Sequence, residues 1–169
     1  MAANDNFLSK DKPLNVNFSK INKGSIPLVG GKGANLGEMV AAGFSVPDGF
    51  AVTVHAYDLF LDENNLKQKI NDLLKEIDVN KSDELESVAK KVRSAITKST
   101  IPKEVASDVI SFYKKLSAGK LNTLVAVRSS ATAEDLPGAS FAGQQATFLN
   151  IKGEANLLVS IRECWASLF

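Results

Sequence analysis

Nineteen residues, Arg128 to Ala146, separate two short apolar runs, Leu124 to Val127 and the run holding Phe148, Leu149 and Ile151. The runs read as paired strands. Connections in a compact domain are commonly about 4–6 residues, so a segment this long between two strands is expected to serve a function. Eleven of the 19 are Ser, Thr, Ala or Gly, which lets backbone N–H groups reach a ligand with no side chain in between. Phosphate is the ligand that such loops most often hold.

A second phosphate element lies near the start of the chain. Gly30-Gly31-Lys32-Gly33-Ala34-Asn35-Leu36-Gly37 sets a cation among glycines where a helix begins, and free N–H groups and the helix dipole favour an anion there. It is not a Walker P-loop, since Ile26 and Gly33 stand where that motif needs Gly and Ser or Thr. A dinucleotide fingerprint would need Gly at Leu36. Arg128 ends an apolar strand and precedes Ser129 and Ser130, so its guanidinium is expected where the sheet opens onto the long connection.

The rest of the chain reads as scaffold. Leu36, Met39 and Val40 predict a short helix from about Ala34 to Ala42, stopped by Gly43 and Pro47. Phe50, Val52 and Val54 alternate as a strand that feeds a helix with Tyr57, Phe60 and Leu61. From Leu66 to Leu116 three amphipathic stripes follow: Leu66, Ile70, Leu73, Leu74 and Ile77; Leu85, Val88, Ala89, Val92 and Ile96; and, opened by Pro102, Val105, Val109, Phe112, Tyr113 and Leu116. A last helix carries Leu157, Leu158, Ile161, Trp165 and Leu168. Residues 1–16 are expected to form a disordered tail.

Composition removes several functions. Lys+Arg 20 against Asp+Glu 19 gives a net charge of +1, too balanced for a nucleic-acid surface. One cysteine, Cys164, excludes a disulfide within the chain, and one histidine, His55, excludes a site needing two. Both suit a reducing, cytoplasmic setting, and no window has the ~18 consecutive apolar residues of a membrane span. Glu134 and Asp135 could touch magnesium, although carboxylates beside Pro137 more often serve a turn. His55 lacks partner acids for catalysis, and Cys164 and Trp165 are expected in the core.

Four segments together resemble the amino-terminal part of phosphoenolpyruvate synthase, also called pyruvate, water dikinase: LVGGKGANLGEM (Leu28 to Met39), VPDGFAVTVHAY (Val46 to Tyr57), VAVRSSATAEDLPGASFAGQQATFLN (Val125 to Asn150) and CWASLF (Cys164 to Phe169). The wider set includes rifampicin phosphotransferase and pyruvate phosphate dikinase, the latter diverging just after the arginine. The resemblance implies an α/β (α+β) fold: the first lobe of an ATP-grasp nucleotide-binding domain over residues 17–169, a short, mostly antiparallel sheet with several amphipathic helices, and a helical insert at about 66–116. It implies that Lys32 and Arg128 contact ATP phosphates, and that Gly143 and Thr147 line the nucleotide. Gly138 and Ala146 depart from the pattern, which commonly has acidic residues there.

The reaction so implied moves the β,γ-phosphates of ATP to a histidine on a mobile domain, leaving AMP, and then passes one phosphoryl group to pyruvate. The magnesium ligands, the histidine and the pyruvate site are expected outside these residues, so the chain is expected to be a fragment, inactive by itself. Nothing before Phe169 separates a pyruvate acceptor from rifampicin, and a stand-alone nucleotide-binding module is a third reading. The long connection is expected to close over phosphates, with Phe141 packed down as its anchor.

Overall fold

The computed structural model describes residues 12–75, 77, 81–118, 120, 123–132 and 146–169. Among them are four strands, six helices and two short 3-10 turns, in the order β1 (Asn15–Asn17), turns Phe18–Lys20 and Lys23–Ser25, α1 (Ile26–Ala41), β2 (Phe50–Val52), α2 (Val54–Glu63), α3 (Leu66–Lys75), α4 (Ser82–Lys98), α5 (Lys103–Leu116), β3 (Leu124–Arg128), β4 (Thr147–Lys152) and α6 (Glu154–Ala166). The strands form two antiparallel pairs, β1 with β2 and β3 with β4. The class is α+β, as expected.

The core is built by five helices. Phe60 of α2, Val92 and Ile96 of α4, and Val105 and Val109 of α5 are fully buried, and Leu157, Ile161 and Trp165 of α6 pack with them. The rings of Phe60 and Trp165 lie 4.8 Å apart in a tilted arrangement, within the range where aromatic pairs add to simple burial. Val125, Val127 and Ile151 turn one face of the β3–β4 hairpin onto this core. Tyr113 fastens the hairpin to the helices: its hydroxyl donates to the Thr123 carbonyl at 2.6 Å and accepts from the Gly153 amide at 3.2 Å.

Four expectations are corrected. The tail ends earlier than residue 16, because Asn15 to Asn17 pair with Val52 to Phe50 and the Thr53 hydroxyl donates to the Pro13 carbonyl at 2.7 Å. Three residues are too few to show alternation, so β1 had no period to read. The strand expected through Val54 stops at Val52, because the Thr53 hydroxyl accepts the Ala56 amide and caps α2 instead. The helix expected at Ala34 begins at Ile26 with Pro27 in its first turn, and breaks where Gly30 takes φ 74°. On α3 and α4 the apolar stripes are only partly used: Leu74 and Leu85 remain 45% and 46% exposed.

Candidate functional site

Gly30 makes the site possible. Its left-handed backbone ends the first turn of α1 and starts a second helical segment at Gly31, with Lys32 on that segment's exposed side. A Cβ on Gly30 would fall 2.8 Å from the Ser130 carbonyl carbon and oxygen, and nearer still to its hydroxyl. The backbone after β3 therefore lies directly against the glycines. The Gly31 amide donates to the Ala131 carbonyl at 3.2 Å, and the Gly33 amide donates to Ser130 Oγ at 3.1 Å across 97 residues of sequence. Gly37 docks α1 on the other side, where a Cβ would meet the Ile21 backbone.

Two of the amides that a helix start offers to an anion are thus already used to join the two glycine- and serine-bearing elements. This corrects the expectation of open N–H groups around Lys32. Side-chain charge lies beside this junction on Lys32, and on Arg128 just before the serine pair, both exposed. A guanidinium and an ammonium on neighbouring elements suit a polyphosphate, the former as a fork and the latter as a point charge.

Arg128 and Thr147, named separately from the sequence, sit opposite each other as the last pair of the hairpin. Alternation points Leu124, Ala126 and Arg128 away from the core and Val125 and Val127 towards it. On β4 a bulge keeps both inward residues inward: Val125 pairs with Ile151 and Val127 with Phe148, so Ala126 faces two residues, Leu149 and Asn150. Asn150 supplies the φ of 57° that the bulge requires. Leu124 and Leu149 are left 60% and 61% exposed on the same outer face as Arg128 and Thr147.

The mouth of the long connection is closed by hydrogen bonds. The Ser129 amide donates to the Ala146 carbonyl at 3.3 Å, the Ala146 amide donates to Ser167 Oγ at 3.2 Å, and that hydroxyl donates to the Cys164 carbonyl at 2.7 Å. Ser129 is buried. Gly143, with Glu134, Asp135, Phe141 and Gly138, lies outside the described residues. Among the described residues no group of three or more His, Cys, Asp or Glu side chains could hold a metal ion.

His55 is on α2, and its pKa is lowered by partial burial, then by the Lys12 charge, against a smaller pull from Asp58. Cys164 is buried, and burial pushes its thiol up to about 12, helped by the charge of Glu163. A groove of about 700 Å³ between α3 and α4, with Lys69, Lys90, Lys91 and Lys98 around Leu66 and Leu73, shares no residue with the junction. A smaller cavity of about 370 Å³ reaches Ala146, Phe148 and Ser167 at the root of the connection. Sequence reasoning missed Ser130 as the partner of Gly33: the serine pair and the glycines were visible, but their pairing is tertiary. No helix among the described residues is long and apolar enough to cross a membrane.

Comparison with known proteins identifies the family. Residues 26–169 match the family described as pyruvate phosphate dikinase, AMP/ATP-binding domain, a span that holds Lys32, Arg128 and Thr147. The chain is 48% identical to a probable phosphoenolpyruvate synthase of Staphylothermus marinus over 95% of its own length and 20% of the relative's. It is 46% identical to the phosphoenolpyruvate synthase of Helicobacter pylori over 90% of the chain and 20% of the relative. For the Aquifex aeolicus phosphoenolpyruvate synthase the identity is 44%, over 96% of the chain and 20% of the relative. The chain therefore spans about a fifth of the length of these curated relatives. With a family match across most of its residues, the chain belongs to the pyruvate phosphate dikinase AMP/ATP-binding domain family.

Proposed function

We propose that this chain is the ATP-binding part of a phosphoenolpyruvate synthase, the first lobe of an ATP-grasp domain over residues 17–169, working in the cytoplasm. The observation that carries the reading is the direct seating of the Gly30–Gly33 turn on Ser130 and Ala131, which joins the elements that carry Lys32 and Arg128. Lys32 and Arg128 bind the ATP phosphates and neutralise charge that grows on them as the β,γ-phosphates leave; charge placed in advance costs no reorganisation at the moment of reaction. Thr147, opposite Arg128, offers its hydroxyl to the nucleotide, and Gly143 lets backbone approach it. Magnesium would supply further neutralisation of the phosphates, from ligands outside these residues. Pyruvate is the final phosphoryl acceptor, reached through parts of the protein outside this chain.

The test is ATP-dependent formation of AMP and phosphoenolpyruvate from pyruvate by the full-length protein. Lys32→Ala and Arg128→Ala should each slow AMP formation by on the order of 10²-fold, the usual loss when one charged contact to a transition state is removed. His55→Ala should change it little. Abolition by the His55 change with survival of the Lys32 variant would overturn the assignment, and phosphorylation of rifampicin in place of pyruvate would overturn the acceptor.

A further inference from the structure

Ser130 is the point where the two cation-bearing elements touch. Its Oγ accepts the Gly33 amide at 3.1 Å, one residue beyond Lys32, while its own backbone lies two residues beyond Arg128. The φ of 74° at Gly30 turns the start of the helix onto Ser130, and no side chain could stand between them. The next residue back, Ser129, is bonded to Ala146 at the root of the long connection. Beside the backbone bond from the Gly31 amide to the Ala131 carbonyl, the Ser130 hydroxyl is the side-chain link between the helix of Lys32 and the strand end of Arg128 and, through that strand end, to the connection.

We propose that Ser130 is a positioning residue: its hydroxyl fixes the start of the Lys32 helix against the end of β3, so that Lys32 and Arg128 meet one polyphosphate together. It acts without touching the nucleotide. Two charges on separate elements stabilise a transition state fully only if their spacing is set beforehand, because any rearrangement during the reaction subtracts from the gain. The proposal rests on the ATP-binding reading above.

The experiment uses the full-length protein and measures kcat and KM for ATP in AMP formation, with thermal stability followed in parallel, for Ser130→Ala, Ser130→Thr, Lys32→Ala and the Lys32→Ala/Ser130→Ala pair. Ser130→Ala should lower kcat/KM by about tenfold, the scale of one lost hydrogen bond, with the larger part in kcat. Ser130→Thr, which keeps the hydroxyl, should recover most of it. In the Lys32→Ala background the serine change should add almost nothing, since its route of action is already gone. Two results would overturn the proposal while leaving the ATP reading intact: full kinetic additivity in the double variant, or a Ser130→Ala protein with lowered melting temperature and unaltered kinetics well below it. If Lys32→Ala and Arg128→Ala leave ATP use unchanged, the ATP reading itself fails and this one with it.

Discussion

Gly30, Lys32 and Cys164 show how much one position can decide. Gly30→Ala forces a side chain into a left-handed backbone and against Ser130, so it should destabilise the protein by about 1–3 kcal/mol. It should also weaken ATP-analogue binding in the full-length protein; chemical denaturation and calorimetric titration check the two effects. Lys32 and Arg128 are exposed, and substitutions at such positions shift stability by about 0.5 kcal/mol or less. Their alanine variants should therefore melt with the wild type while losing activity, which separates a binding role from a packing one. Burial raises the Cys164 thiol from 9.0 to about 12, so the native protein should resist iodoacetamide at pH 8 and react once unfolded. Because the folded thiol keeps its proton where the unfolded one loses it, this contribution to stability is complete below pH 9 and declines as pH rises towards 12. Rapid labelling of the native protein at pH 8 would contradict the buried placement.

At the scale of elements, the β3–β4 hairpin is the part whose pattern and pairing must both be right. The bulge at Asn150 keeps Phe148 and Ile151 on the core side of β4 and leaves Leu149 outside. Asn150→Gly should be tolerated, since glycine adopts the positive φ freely, whereas Asn150→Val should cost about 1–3 kcal/mol because a β-branched residue is strained there. Equal melting temperatures for the two variants would argue against the bulge. Tyr113 ties α5 to both strands at the open end of the same hairpin, and Tyr113→Phe, which leaves the Gly153 amide without its partner, should lose about 1–3 kcal/mol. The strands of this hairpin were plain in the sequence, because the short apolar runs Leu124 to Val127 and Phe148 to Ile151 announce them. The bulge was not, because a left-handed asparagine carries no periodic signal.

Across the whole molecule, α2 to α6 share one core, and α1 lies outside it. Ile21, Val29 and Ala34 are buried beneath and along α1 but are not among the residues packed around Phe60. Phe60→Ala, which empties the contact with Trp165, should destabilise the fold by about 3–5 kcal/mol, measured by denaturant titration, and a loss under 1 kcal/mol would contradict its place at the centre. The class of the fold, five of the six helices and the glycine- and serine-bearing motifs were determined by local sequence: hydrophobic period, glycine content and charge position act within a few residues. Where α1 starts, which residues β1 pairs with, and that Ser130 faces Gly33 across 97 positions were decided only by tertiary structure. The physical reason is that these are matters of close approach between backbones, set by which surfaces pack once the core has formed, and no residue's own propensity records its distant neighbour.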